Sequence, residues 1–250
     1  MAHHVPHEVV QGAAAQAQPV KRVLAMPSRE GLLVCAASLM PAYLFGLMGL
    51  MHVLGLINMI QAGPSDDPRG AATGWLHLLH QVLSTAFSLL ICWLFLIRRP
   101  STQGRGAGGR ISDLAAVGGT VVALGIAMAP RTNDHILALA TAEALLTMGL
   151  IVMVIGLASL GRSFGIMPRA RGLVQHGLYK WIRHPIYLGE FLAFGGLLVL
   201  AASPLTIAVY VVFVALQLCR LVIEEQTLTT AYPEYAEYRA RTARLLPGVY

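Results

Sequence analysis

The chain alternates between long apolar runs and short polar connectors. The apolar runs cover residues 31–60, 75–97, 114–129, 136–160, 185–202 and 205–223. A membrane-spanning helix needs about 20 mostly apolar residues, and runs near this length are typical of such helices. The pattern therefore predicts an all-α, polytopic integral membrane protein with about six transmembrane helices.

The residues between the last two apolar runs predict how the last helices are arranged. Ser203 and Pro204 stand between the fifth and sixth runs, where serine suits a helix N-cap and proline suits the first helical position. The two runs are therefore predicted to form a tight helical hairpin. Beyond Glu224 the sequence becomes charged and amphipathic, which predicts a C-terminal helix lying along the membrane interface.

Composition agrees with a single membrane domain. Of the 250 residues, 56% are hydrophobic and only 12% are charged, about half the charged fraction of an ordinary soluble domain. The formal net charge of +6 invites a nucleic-acid partner. Because the cations lie in short loops beside apolar runs, membrane orientation accounts for them, and no nucleic-acid binding is predicted.

Those cations also predict the orientation. With the N-terminus in the cytoplasm and six spans, only Arg69 and Arg131 of the 18 lysines and arginines fall outside. Cytoplasmic loops are rich in lysine and arginine, so both termini are predicted to be cytoplasmic. Residues 1–30, rich in alanine, glutamine and histidine, are predicted to be a disordered cytoplasmic segment.

The polar stretch 177–189 is a candidate site. Arg183 and His184 directly precede Pro185, and a proline after a non-helical residue suits the first turn of a helix. A helix N-terminus carries partial positive charge and free N–H groups. Tyr187 lies three residues past His184, so the two share a face. This combination favours binding of a carboxylate or phosphate.

A second polar feature lies near the end of the sixth run, at Glu224 and Glu225. Gln217, Arg220 and Glu224 follow i, i+3, i+7 spacing and so line one stripe of a helix. The predicted hairpin would bring this stripe beside Arg183 and His184. A ligand bearing both charges would suit such a site, and an interfacial salt-bridge cluster is the alternative without function.

These two segments resemble the isoprenylcysteine carboxyl methyltransferase family and the related phospholipid methyltransferases. The resemblance covers roughly residues 145–250 and rests on two motifs in matching order. The first motif comprises Gly177, Tyr179, Arg183, His184, Pro185, Tyr187 and Gly189, and the second comprises Glu224, Glu225, Leu228, Tyr235, Tyr238 and Arg244 to Pro247. The sequence departs from the family at Tyr232-Pro233, where Phe-Gly is usual.

The resemblance implies an S-adenosylmethionine-dependent methyltransferase whose lipophilic acceptor enters from the bilayer lipids. Residues 145–250 would be the cofactor-binding region, near the cytoplasmic face, and residues 31–144 the helices on the acceptor side. The implied catalytic residues are Arg183, Glu224 and Glu225. The implied cofactor-binding residues are Tyr179, Arg183, His184, Tyr187, Glu224 and Glu225, and the predicted substrate-binding residues are Glu190, Tyr235 and Tyr238.

The chemistry of S-adenosylmethionine fits these residue types. Its carboxylate suits Arg183 and His184, its ammonium suits Glu224 or Glu225, and aromatic faces suit its adenine or sulfonium. An acceptor carboxylate, as in isoprenylcysteine, would need no base. An amine, as in a phospholipid, or a small lipophilic thiol would have to lose a proton, and a glutamate or His184 could take it.

Two other functions remain open from the sequence. A membrane reductase of the sterol-reductase type would use NADPH, although the glutamate pair argues against a nucleotide phosphate. A haem-handling protein without enzymatic activity would use His52, His77 and His80, which lie with Glu143 in apolar runs where polar residues are functional candidates. No metal site is predicted, because no cysteine or carboxylate stands at ligand spacing.

Overall fold

The computed structural model describes residues 29–63, 68–97, 109–127, 129–164 and 172–248. The predicted disordered segment lies almost entirely outside these residues, as does most of the basic loop after the second run. The described residues form helices connected by turns. The helices are α1 (Arg29–Ala62), α2 (Pro68–Ile97), α3 (Gly109–Ala127), α4 (Ile136–Leu160), α5 (Pro185–Leu200), α6 (Pro204–Ala231) and α7 (Tyr235–Arg241).

Four of these helices are long and apolar enough to cross a membrane. The qualifying segments are Leu39–Ala62, His77–Ile97, Ile136–Ser163 and Pro204–Ala231. Large apolar side chains on them are exposed, among them Leu50, Trp93 and Val211, as expected where lipid is the solvent. The all-helical class is confirmed and the composition is that of an integral membrane protein. Helix α5, with 16 residues, is shorter than a hydrocarbon core requires, so the count of six spans remains a prediction.

Glycines bring α4 and α5 into close contact. A Cβ atom on Gly149 would lie 2.6 Å from the carbonyl oxygen of Gly189, and one on Gly196 would lie 2.7 Å from the carbonyl oxygen of Ala142. Backbones can approach this closely only where side chains are absent. The first turn of α5 is likewise seated against Gly156 of α4, which fixes the position of His184 and Tyr187.

The last two apolar helices are joined as predicted but do not form the predicted tightly packed pair. Ser203 caps α6 by accepting a 3.1 Å hydrogen bond from the Thr206 amide, and Pro204 follows at the first position. However, α5 packs mainly along α4, and α6 packs mainly along α3. The glycine contacts of α4 and α5 are the physical reason, because they allow a closer approach than the larger residues between α5 and α6.

Helix α6 extends eight residues beyond the apolar run, which ends at Ile223. The apolar pattern stops at Glu224, but the helix continues to Ala231 because partners elsewhere in the fold accommodate both glutamates. It ends where Pro233 disfavours helical backbone at the residue before it. The charged tail predicted as one interfacial helix is therefore divided between α6, the short α7 and residues 242–245.

Candidate active site

A cavity of about 640 Å³ lies between the helices. All the predicted site residues except Glu225 line it. Its polar end is formed by the start of α5, the last turns of α6 and α7. Its other end has mainly apolar walls, which include Phe87, Ile91, Leu146, Leu150, Met153, Ala193, Phe194, Leu197 and Phe213.

The turn before α5 is held in place by the C-terminal tail. Arg183 donates its backbone N–H to the Ala243 carbonyl at 2.8 Å, and His184 donates to the Arg244 carbonyl at 3.2 Å. These bonds form a short parallel pairing between the two segments. The His184 bond also occupies one backbone donor of this helix start, and Pro185 has no N–H to offer, so the predicted anion site relies more on side chains.

Glu225 forms a buried ion cluster beneath the polar end. Arg183 Nε donates to its Oε1 at 2.8 Å, and Arg244 Nη2 donates to its Oε2 at 2.8 Å. His184 Nε2 lies 3.3 Å from the same Oε1. With only 6% of its side chain exposed, Glu225 is enclosed by cations and does not face the cavity.

Arg183 is fixed by this cluster and by the tail. Its Nη1 donates to the carbonyl of Arg239 at 2.9 Å and also to the carbonyl of Thr242. Among the described residues, its Nη2 is the guanidinium nitrogen that these contacts leave for a ligand. Arg183 also lines the cavity, and a guanidinium fixed in this way is suited to a carboxylate.

Glu224 faces the cavity. The hydroxyl of Tyr187 donates to Glu224 Oε2 at 2.8 Å. The guanidinium of Arg220 lies 5.3 Å from the centre of the Tyr187 ring and within electrostatic range of Glu190 and Glu224. Adjacent glutamates thus have different surroundings, one in the cavity and one behind it.

Glu190 and Gln217 form the inner edge of the polar end. Gln217 Nε2 donates to Glu190 Oε2, which couples α5 to α6. Gln217 is 3% exposed, and within the described part of the chain its Oε1 has no hydrogen-bond partner. Glu190 lies one turn farther along α5 than Tyr187, where the apolar part of the cavity begins at Ala193.

Three tyrosines close the polar end from the tail side. The Tyr238 hydroxyl donates to the Tyr179 carbonyl at 2.7 Å, and burial raises the pKa of Tyr238 to about 12. Burial, followed by the Glu224 charge, raises the pKa of Tyr179 well above its usual value. Burial also raises the pKa of Tyr235, so all three phenols are neutral near pH 7. The buried Tyr235 hydroxyl, on the cavity wall, has no partner among the described residues.

The membrane histidines lie at the opposite end of the cavity. His80 Nδ1 is 3.7 Å and His77 Nδ1 is 3.9 Å from Glu143 Oε1, and His52 and His80 line the cavity wall. Within the described ranges, no group of three or more His, Cys, Asp or Glu side chains is arranged to hold a metal ion. The structure thus places these residues away from the polar end.

Sequence reasoning did not single out Arg244 as the partner of Glu225, or Arg220 and Gln217 as parts of the cavity wall. The sequence did contain signals for these three residues. Arg244 belongs to the tail motif, and the i, i+3, i+7 stripe contained both of the others. What the stripe could not show was which neighbouring helix would face it.

Comparison with known proteins places this site in a recognised family region. Residues 135–235 match the phospholipid methyltransferase family model, and the resemblance predicted from the two motifs is confirmed there. The matched segment contains α4, α5 and α6 with Arg183, His184, Glu224 and Glu225.

Two curated proteins are similar to parts of the chain. The cobalt-zinc-cadmium resistance protein CzcN of Cupriavidus metallidurans is 32% identical over 108 residues, which are 41% of this chain and 49% of that protein. The methanethiol S-methyltransferase of Mycobacterium tuberculosis is 38% identical over 80 residues, which are 30% of this chain and 31% of that protein. The chain thus spans about half or less of these relatives.

Proposed function

We propose that this protein is an integral membrane S-adenosylmethionine-dependent methyltransferase that acts on a lipophilic acceptor. The match of residues 135–235 to the phospholipid methyltransferase model supports the reaction class. The observation that carries the proposal is the single cavity, which joins a charged end to an apolar end. A methyl donor and a lipophilic acceptor need these two environments side by side.

The cofactor fits the charged end by its own groups. The Nη2 of Arg183 would take the carboxylate, and Glu224 would take the ammonium, while the unpartnered Tyr235 hydroxyl would donate to an acceptor atom of the adenosine. Glu224 and Glu190 would lie near the ammonium and the sulfonium, and their negative charges would offset these cations in a region of low dielectric, where an unpaired charge is costly.

The cofactor would supply an activated methyl group on a sulfonium. The protein would contribute position and exclusion of water. Tyr187 and Arg220 hold Glu224 in place, and the Glu225 cluster holds Arg183. Glu225 itself would act indirectly, because its oxygens are bound to Arg183 and Arg244.

The acceptor would enter the apolar end from the bilayer. The name of the relative from Mycobacterium tuberculosis supports a lipophilic thiol as the acceptor class, ahead of a phospholipid amine or an isoprenylcysteine carboxylate. The charge pattern of the loops supports a site at the cytoplasmic face, with both termini on that side.

Calorimetric titration of the detergent-purified protein tests the proposal. We expect saturable binding of S-adenosylmethionine and S-adenosylhomocysteine, weakened about ten- to a hundredfold by Glu224→Gln, because a charged hydrogen bond to the ammonium is lost. The control is Glu237→Gln, whose side chain is 80% exposed on α7. A folded wild-type protein that bound NADPH instead would refute the proposal, whereas unchanged affinity of Glu224→Gln would refute the role given to Glu224.

A further inference from the structure

Glu190 occupies the boundary between the two ends of the cavity. It lies on the face of α5 that carries Tyr187 on one side and Ala193 on the other, and all three residues line the cavity. Tyr187 contacts Glu224 at the charged end, whereas Ala193 begins the apolar wall. An acceptor atom that reaches the methyl group from the apolar end must therefore pass beside Glu190.

The hydrogen bond described for Glu190 engages one of its two carboxylate oxygens. Gln217 donates to Oε2, and this glutamine is itself 3% exposed. The other charged and titratable groups around Glu190 are Tyr187 on its own helix and Arg220 and Glu224 on α6. A half-buried glutamate with one oxygen fixed by an amide is oriented as a general base requires.

Other groups at the charged end are engaged. His184 directs Nε2 at Glu225, Glu225 is bound by two arginines, and Glu224 accepts from Tyr187. The three tyrosines are neutral phenols. In the hydrogen bonds described, both Glu224 and Glu190 accept from neutral groups, and of the two Glu190 is the one that adjoins the apolar wall at Ala193.

We infer that Glu190 is the general base of the reaction and that the acceptor is a neutral nucleophile carrying a proton, represented by a lipophilic thiol. This inference rests on the proposed function. A carboxylate acceptor would add a negative charge beside Glu190 in an apolar setting, where it would be repelled and poorly solvated. A neutral thiol adds none.

In the proposed step a methyl group moves from the cofactor to the thiol, and a proton moves from the thiol to Glu190. The thiol sulfur forms a bond to the methyl carbon while the bond from that carbon to the sulfonium breaks, and its electron pair stays on the cofactor sulfur. The thiol proton moves to a carboxylate oxygen of Glu190. The positive charge of the sulfonium lowers the pKa of the nearby thiol, which helps a carboxylate accept the proton. Glu190 releases this proton to water when the products leave.

Two thiols of different acidity test the inference with the full-length protein in detergent. One is a long-chain alkanethiol, protonated at neutral pH, and the other is an arenethiol of similar lipophilicity that is mostly thiolate. Thioether formation is followed by mass spectrometry for the wild type, Glu190→Gln and the control Glu237→Gln. We expect Glu190→Gln to lower kcat/KM for the alkanethiol about 10²- to 10⁴-fold. For the arenethiol it should leave kcat/KM unchanged or raise it, because a thiolate needs no base and is no longer repelled by the carboxylate.

The pH profile gives a second readout. With the alkanethiol, activity of Glu190→Gln should rise with pH as the thiolate fraction grows, whereas the wild type should be active near neutrality. If Glu190→Gln does not fold, Gln217→Leu, which removes the orienting bond, should show a smaller selective loss with the same acceptor dependence. Equal losses with both thiols, or faster methylation of a fatty carboxylate than of either thiol, would overturn the inference.

Two different results separate an error in the role of Glu190 from an error in the proposed function. If the wild type binds S-adenosylmethionine and methylates a thiol but Glu190→Gln shows no acceptor selectivity, only the role of Glu190 is wrong. If the folded wild type does not bind S-adenosylmethionine, the methyltransferase proposal is wrong and this inference falls with it.

Discussion

Adjacent residues in this sequence have different physical tasks. Glu224 and Glu225 are identical in type, but a helix rotates by about 100° from one residue to the next, so their side chains leave it in different directions. Glu224 faces the cavity and accepts from Tyr187. Glu225 faces the tail and binds Arg183 and Arg244. In the proposed function the first would bind the cofactor, and the second holds the arginine that would bind it.

Glu225→Gln should therefore reduce stability more than Glu224→Gln does. Removing the carboxylate leaves two buried or half-buried arginines without a counter-ion, which costs about 3–5 kcal/mol when one partner of a buried pair is lost. Thermal unfolding in detergent, followed by circular dichroism, measures the difference against Glu237→Gln. A double variant with Arg244→Met should recover part of the loss, since it removes one uncompensated cation. Unfolding temperatures equal to the control would contradict the structural role of Glu225.

At the scale of elements, the contact between α4 and α5 positions the site. Both residues of the close pair Gly149 and Gly189 lie in helices, and the carbonyl of Gly189 occupies the space that a Cβ on Gly149 would need. This contact sets the height of α5, and with it the positions of Tyr187 and Glu190. Helix α6, held against α3, brings Arg220 and Glu224 to the opposite wall.

Gly149→Ala tests this packing. The added methyl group would lie 2.6 Å from a backbone carbonyl oxygen, so α5 must shift, at a cost of about 1–3 kcal/mol. We expect a lower unfolding temperature together with weaker binding of S-adenosylmethionine. The matched control is Gly125→Ala on α3, where a Cβ would meet nothing within 4 Å, and where alanine should be neutral or slightly stabilising. Similar effects of the two substitutions would show that the close contact does not exist.

At the scale of the whole molecule, the fold places the charged end of the cavity and the C-terminal tail together. Residues 181–184 pair with residues 243–244, and Leu245 packs in a cluster with Tyr187 and Leu221. The tail is thus part of the candidate site. The side of the membrane on which this tail lies decides whether the cofactor can enter the site from the cytoplasm.

Reporter fusions test that sidedness. Alkaline phosphatase, which is active only after export, should be inactive when fused after residue 250 and active when fused after residue 132, in the turn between α3 and α4. The reason is the concentration of lysine and arginine near one set of helix ends. A fluorescent protein that folds only in the cytoplasm should give the opposite pattern. An active phosphatase at residue 250 would place the site on the other face.

Much of the helical layout could be predicted from the sequence. The bounds of α4 match the apolar run, and Pro185 and Ser203-Pro204 mark the starts of α5 and α6, because helix caps and prolines act locally. Helix α6, predicted to end near Glu224-Glu225, continues to Ala231. The apolar pattern ends where the charged residues begin. The helix nevertheless continues through Glu225, because Arg183 and Arg244 from other segments supply its counter-ions.

The sequence by itself determined that the chain is an all-helical membrane protein, and which polar residues stand out against its apolar background. These properties follow from composition, periodicity and local backbone chemistry. Tertiary structure alone decided that α5 packs on α4, that Glu224 rather than Glu225 faces the cavity, and that Glu190 lies at its boundary. Such assignments depend on how each helix is rotated and shifted against its neighbours. Close glycine contacts and ion pairs between residues far apart in the sequence determine that rotation and shift.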